Sequence, residues 1–258
     1  MMTLKKIRYL LVVHVNKLPL FSFYARLIYN LLFGEKELRF LLKNKSFFKK
    51  YIFIDIGANL GIYTALALIV FRKIYAFEPL KILENHWIYI SKKTNIIYNN
   101  LAIGNNNKTG YLTVPKHDSI TDHGLSKITN KKNEFCQKTK ISRLDDLLLN
   151  KFDDKDLIFI KIDVEGFENE VIEGATNILK LHNPIILIEI ESRHNSKISS
   201  LITDLTNLNY GIYYLKYNKL IKVNIDFINE QKFGTPNYIN NYICISSEKK
   251  YNNILSVC

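Results

Sequence analysis

Residues 51–61 read YIFIDIGANLG. Four apolar residues, β-branched or aromatic, lead to Asp55 and then to a turn holding two glycines and an asparagine. An apolar run this short, closed by turn residues, reads as a buried strand over Tyr51–Asp55. The pattern from Leu60 to Phe71 that follows reads as a helix. A strand entering a glycine turn and then a helix is the opening unit of folds that cradle nucleotide-like ligands.

Working outward, the alternation continues. Lys73–Glu78 reads as a second strand stopped by Pro79, Leu80–Lys93 as a helix, and Asn95–Ile103 as a third strand ended by Gly104. It pauses over 108–142, where Thr109–Val114 and Phe135–Ile141 are strand-like around a polar loop. Ser142-Arg143-Leu144-Asp145 has the form of a capping box, with Ser142 as cap. Strand and helix then alternate again: Leu157–Asp163, Phe167–Leu181, Pro184–Glu191 and Ser196–Leu208. A hairpin is expected around Tyr217-Asn218-Lys219, and Tyr242–Ser246 is a last strand. Such alternation predicts an α/β fold with a doubly wound, mostly parallel sheet. The predicted domain covers 49–250, preceded by a helical extension over 1–48.

The charge is uneven. The net charge is +12, and residues 1–50 hold eleven Lys or Arg against two acids, Glu35 and Glu37. A basic segment can meet anionic lipid, acidic glycan or nucleic acid, or be a solvated face. No zinc-finger spacing or RRM-like aromatic pattern accompanies it, so nucleic acid is not expected as a partner. For Leu18–Phe33 a helix packed on the core is the first expectation, and peripheral contact of residues 1–45 with an anionic membrane the second. The short apolar run after Lys5 and Lys6 is broken by His14, Asn16 and Lys17 and is not read as a signal peptide. Three scattered cysteines, Cys136, Cys244 and Cys258, exclude a disulfide framework and suit a cytoplasmic, reducing compartment.

In open α/β sheets the ligand lies beyond the carboxyl ends of the strands. Asp55, Gly57, Ala58, Asn59 and Gly61 follow the first strand, Glu78 the second, Leu101 and Ala102 the third. Asp163, Glu165 and Gly166 follow the fourth, Glu189 and Glu191 the fifth. Every charged group in that set is an acid. A pyrophosphate wants G-x-G-x-x-G, and here Asn59 and Ile62 stand at the second and third glycine positions. An acid rim would repel it, so a nicotinamide dinucleotide is disfavoured. S-adenosylmethionine carries two positive groups and a ribose with two hydroxyls, which acids suit. Asp55 and Glu78 could instead be acids favoured at helix N-termini by the macrodipole.

IDIGANLGIYT, YAFEPL, NNLAIG, SRLDDLL and above all IKIDVEGFENEVIEGA followed by PIILIEI resemble the FkbM family of S-adenosylmethionine-dependent methyltransferases over about residues 50–247. The resemblance implies a class I methyltransferase (Rossmann-like) fold of seven strands, the last antiparallel. It implies O-methylation, often of a sugar hydroxyl in a glycan or surface-polysaccharide pathway. It places Asp55, Gly57, Asn59, Tyr63 and Thr64 along the cofactor turn, Glu78 on the ribose, Ala102 near the adenine and Asp163 closing the site.

An alcohol acceptor needs a base. Asp163 and Glu165 are the expected pair, two neighbouring acids that raise each other's pKa. Glu165 and Glu168 could also be helix-start acids, and Glu170 and Glu173 a solvated face. Asp163, Glu165 and Glu189 could alternatively offer oxygen ligands to Mg²⁺, although no metal is required. Among the histidines, His117, His123 and His194 fall in loops near the expected mouth, while His14, His86 and His182 do not. The loop 115–134 could form a lid. Two rival readings stay open: a non-catalytic nucleoside-binding module docked through its basic helices, and a nicotinamide-linked oxidoreductase.

Overall fold

The structure, a computed structural model, describes residues 18–113, 127–129, 136–235 and 237–246. His14, His117, His123, Cys258, most of the expected lid loop and the basic residues before Leu18 lie outside them. Two units are distinguished, Met1–Ala102 with Thr109–Lys140, and Ile103–Lys108 with Ile141–Cys258. The architecture is α/β with mostly parallel pairing in its main ladders, as the alternation implies.

The first unit begins with three helices, α1 (Pro19–Phe33), α2 (Lys36–Lys43) and α3 (Lys45–Phe48). Pro19 starts α1 at the position where its missing N–H costs nothing. Then come β1 (Tyr51–Ile56), α4 (Ile62–Val70), β2 (Lys73–Phe77), α5 (Glu84–Lys93) and β3 (Ile96–Asn99). β1 is buried along its whole length, which is why its sequence is continuously apolar up to Asp55. It pairs in parallel with β2, Asp55 facing Ala76 and Ile56 facing Phe77, and β2 pairs in parallel with β3. Parallel pairing brings the ends of β1 and β2 to one edge.

The expected third strand, 95–103, is two elements. β3 stops at Asn99, whose carbonyl accepts from the N–H groups of both Glu78 (3.2 Å) and Leu101 (3.0 Å). That turn sets Ala102 in a separate short strand, β4 (Ala102–Ile103). β5 (Lys108–Thr113) pairs antiparallel with β6 (Lys127–Thr129), and β7 (Cys136–Ser142) follows.

The second unit holds α6 (Leu144–Leu148), β8 (Leu157–Ile162), α7 (Glu168–Gly174), α8 (Thr176–His182), β9 (Ile185–Glu189), α9 (Ile198–Asn207), β10 (Tyr210–Lys216), β11 (Lys219–Val223), α10 (Ile225–Asn229) and β12 (Asn241–Ser246). β8 and β9 are parallel; β12 is antiparallel to both β9 and β10. β10 and β11 form the expected hairpin through Tyr217 (φ 49°) and Asn218 (φ 62°), the two left-handed residues a tight hairpin turn demands. β11 is one strand more than the seven of the resemblance.

Two local expectations are corrected. Ser142 is not a helix cap: α6 has Arg143 at its N-cap, and no side chain caps it. Ser142 is buried, with its carbonyl accepting from Gly104 N–H at 3.0 Å. Asp145 caps a different helix. Its carboxylate accepts from Asn177 N–H at 3.1 Å and Ile178 N–H at 3.0 Å, at the start of α8. This is also why the helix expected over 167–181 is broken at Ala175 into α7 and α8.

Gly61 joins the turn after β1 to its helix with φ +79°. A Cβ there would lie 2.4 Å from Cε2 of Phe23 and 3.0 Å from the Trp87 ring, both fully buried. Gly61→Ala therefore combines left-handed strain with overpacking and is expected to cost about 2–5 kcal/mol. Denaturant unfolding measures this, and an unchanged midpoint would show that Phe23 yields freely.

Candidate functional site

In the first unit the chain leaves β1 and folds back over the end of β2. The N–H groups of Gly57 (3.0 Å) and Ala58 (3.1 Å) both donate to the Phe77 carbonyl, and Gly61 N–H donates to Ala58 O at 2.8 Å. Asn59 sits in the left-handed region at φ 46°. Its N–H donates to Oε2 of Glu78 at 2.6 Å, and Leu80 N–H donates to Oε1 at 2.8 Å. Glu78 is buried, so these bonds replace the water its carboxylate gives up. Asp55 is also buried and accepts from the Thr64 hydroxyl at 2.5 Å, from the first turn of α4.

The remaining residues expected along this turn are placed as follows. The Tyr63 hydroxyl donates to the Glu35 carboxylate, and Ala102 is buried. Trp87 Nε1 donates to the Asn59 carbonyl at 2.8 Å and stacks on Tyr98, centroids 5.4 Å apart. The N-terminal helix belongs to this unit as well. Phe23 packs on Gly61, and Nη2 of buried Arg26 donates to the Leu60 carbonyl at 3.2 Å. Burial lowers the Arg26 pKa to about 10. The sequence gives one usable hint of this contact, a single Arg inside the apolar stretch 18–33.

The turn's donors and acceptors fit a ligand rich in hydroxyls. Oδ1 of Asn59 is shielded from solvent and has no hydrogen-bond partner, so it can accept from a ligand donor. Glu78 and Asp55 bring negative charge to the turn, which suits a cationic, phosphate-free cofactor.

In the second unit β8 ends at Ile162 and the chain turns through Asp163, Glu165 (φ 49°) and Gly166 (φ 96°) before α7. A Cβ on Gly166 would lie 2.3 Å from the His194 carbonyl oxygen. Glycine there lets the segment after β9 press against this turn. Glu168 holds it closed, accepting from Gly166 N–H at 2.8 Å and from Asn195 Nδ2 at 2.6 Å. Burial raises the Glu168 pKa. Glu165 precedes the helix and sits in the left-handed region, uncommon for a residue other than glycine.

The acids form a connected cluster. Lys161, buried in β8, donates to Asp163 Oδ2 at 2.8 Å. Glu189 shares a hydrogen bond with Asp163, and Asn240 Nδ2 bridges the carboxylates of Glu189 and Glu191. His194 Nε2 lies 3.1 Å from Glu165 Oε2 and 3.4 Å from Glu191 Oε2. Arg193 pairs with Glu191 and lies over the Phe233 ring, 3.5 Å from its centroid.

Two expectations give way here. The rim is not purely acidic, because Lys161 and Arg193 are part of it; Lys161, the one charge inside the strand Leu157–Ile162, is the signal that was overlooked. Nor is the Asp163 pKa raised by a neighbouring acid. Burial pushes Asp163 upward, but the Lys161 ammonium and the hydrogen bond from Glu189 outweigh it, and its pKa is lowered. Glu189 takes the opposite shift. Burial and the neighbouring Asp163 charge push it up to about 10, so it carries the shared proton at neutral pH. Among the described residues no group of three or more His, Cys, Asp or Glu side chains is arranged to hold a metal ion.

The Glu189 proton has a stability consequence. Unfolded, a glutamate titrates near ~4.3; folded, this one titrates at about 10. Between those values the folded state holds a proton that the unfolded state lacks. Stability therefore falls as pH rises, by at most about 1.4 kcal/mol per pH unit. Asp163, held below its ordinary value, is ionised in both states across that window. Glu189→Gln removes the proton dependence while keeping the shape. Between neutral pH and pH 9 the wild type should lose stability relative to the variant in urea unfolding. Parallel profiles would show that Glu189 is ionised in the fold.

The sequence model of the methyltransferase FkbM domain matches residues 55–212. No curated protein matches the chain. Among solved structures, the chain is similar to the methyltransferase FkbM from Methylobacillus flagellatus KT, at 19% identity and a TM-score of 0.47, over 76% of this chain and 44% of that one. It thus spans less than half the length of that protein. It is also similar to a precorrin-6y C5,15-methyltransferase from Geobacter metallireducens GS-15, at 13% identity and a TM-score of 0.39, over 81% of this chain and 84% of that one. An rRNA methylase from Streptococcus thermophilus shares 13% identity at a TM-score of 0.42, over 81% and 93% of the two chains.

Proposed function

The chain belongs to the FkbM methyltransferase family, and from that premise we propose that it transfers a methyl group to a hydroxyl oxygen, that of a carbohydrate. Family membership sets the nicotinamide reading aside. The observation that carries the proposal is the acid cluster after β8 and β9, where Glu165 is held in a strained turn against His194. A module that only bound a nucleoside would have no use for it.

The methyl donor of the family is S-adenosylmethionine, which supplies a methyl group on a positively charged sulfur. In the first unit, Asp55, Gly57, Ala58, Asn59, Gly61, Tyr63, Thr64, Glu78 and Ala102 are the residues proposed to hold it. Glu78 would accept from the ribose hydroxyls, and Asn59 Oδ1, which has no hydrogen-bond partner, would accept one further donor. In the second unit, Glu165 is the proposed base and takes the acceptor's hydroxyl proton. Asp163, kept ionised by Lys161, accepts a hydrogen bond from the acceptor and orients it. Glu191 and Asn240 are carboxylate and amide groups of the kind that bind sugar hydroxyls. Positioning supplies much of the rate, because the donor is already activated.

Two measurements test this. S-adenosylhomocysteine at ~100 times its Kd should stabilise the full chain by about 2.7 kcal/mol. Asp55→Asn and Glu78→Gln should weaken its binding about 10- to 100-fold, each by loss of a charge-assisted bond. Wild-type affinity in both would remove the cofactor site. In a radiolabelled methyl-transfer assay over sugars, amines and thiols, Glu165→Gln should lower kcat about 10²- to 10⁴-fold with KM little changed. Full activity of that variant, or transfer to amines or thiols alone, would overturn the reading.

A further inference from the structure

α1 has two faces of different character. The inner face is fixed by buried Phe23, Arg26 and Leu27, with Arg26 bonded to Leu60. The orientation of the outer face follows. It exposes Leu18 (57%), Phe21 (67%), Ile28 (59%) and Leu32 (66%), with Tyr24 and Phe33 beside them. Leu18, Phe21, Ile28 and Leu32 are separated by three, seven and four residues, the spacing of one helical stripe. Six of the fifteen large apolar side chains exposed by the described residues lie within 18–33. Such a concentration marks a surface that meets something, where single exposed side chains would not.

The charges beside it are of one sign. Arg39, Lys43, Lys45, Lys49 and Lys50 are exposed and Lys36 is half-exposed. The two acids of this segment are turned inward, Glu37 buried and Glu35 hydrogen-bonded by the Tyr63 hydroxyl. Arg39 Nη1 donates to the carbonyls of Leu31 and Gly34, both at 3.2 Å, which fixes a cation at the end of the apolar stripe beside Leu32 and Phe33. α1 carries no charge on its outer face and, at 15 residues, is too short to cross a bilayer. No helix among the described residues is long and apolar enough to do so.

We propose that α1 lies in the interface of an anionic lipid bilayer, with Leu18, Phe21, Ile28 and Leu32 inserted among the acyl chains and the cations of α2 and α3 on the headgroups. A nucleic acid would satisfy the cations and leave the apolar stripe in water. A bilayer interface takes both. The inference is independent of the acceptor and of the catalytic assignment.

Co-sedimentation of the full chain with phosphatidylcholine vesicles, with and without phosphatidylserine, tests it. Binding should require phosphatidylserine and weaken as salt rises. The variant Phe21→Ser/Ile28→Ser/Leu32→Ser changes only exposed side chains. It should keep its circular dichroism and unfolding transition while binding at least about tenfold more weakly. Removing one cation, as in Lys43→Ala, should weaken binding about fivefold. Failure of the full chain to sediment with phosphatidylserine vesicles would overturn the proposal. Undiminished binding by the triple variant would do the same, because the affinity would then reside elsewhere in the chain. A dimer that the triple variant converts to monomer, without vesicle binding, would reassign the face to a second copy of the chain.

Discussion

The carboxylate of Glu78 is the constraint on which the first unit depends. It is buried, and one oxygen accepts from Asn59 N–H and the other from Leu80 N–H. One side chain thereby ties the turn after β1 to the turn after β2. The Asn59 peptide is then held from its other side by Trp87, which stacks on Tyr98, whose hydroxyl returns to the Glu78 carbonyl at 3.2 Å. The loop of contacts closes on itself. Replacing Glu78 leaves at least one buried N–H group unmet, even with glutamine, whose amide nitrogen cannot accept, so any substitution here perturbs the turn itself.

Each unit uses a glycine with positive φ to admit something bulky. Gly61 admits Phe23 from α1, and Gly166 admits the backbone at His194. The consequences differ. At Gly61 the close approach roofs the turn with an aromatic ring and an arginine bonded to Leu60, so the basic N-terminal helices are part of the unit that carries the turn. At Gly166 it brings a histidine within reach of a glutamate. In both places the glycine makes room for a group from a distant part of the sequence.

This explains what the sequence made legible. Strands such as Tyr51–Ile56 and Ile185–Glu189 are continuous apolar runs because they are buried, and run length alone locates them. The Tyr217-Asn218 turn is legible because few residues adopt its backbone. The acids at the strand ends are legible because the fold class says where to look. What stays hidden depends on contacts distant in sequence. Asp145 caps a helix more than thirty residues away, so local spacing misassigns the cap to Ser142. The end of β3 is set by a carbonyl shared between Glu78 and Leu101, which no propensity records. The proton on Glu189 depends on Asp163 and burial together.

The partners of the four acids in the second unit also separate their roles. Asp163 is balanced by the Lys161 ammonium, and Glu189 is neutral because it holds a proton. Glu191 has a guanidinium, Arg193, which never gives up its proton at neutral pH. Glu165 has the His194 imidazole at 3.1 Å, which also lies 3.4 Å from Glu191. An imidazole exists with one ring proton or two, so it can exchange one with a neighbouring carboxylate where a lysine or arginine would only hold the charge in place. Both ring nitrogens of His194 are shielded from solvent. Of these four carboxylates, Glu165 and Glu191 are thus the two beside a group that can exchange a proton with them.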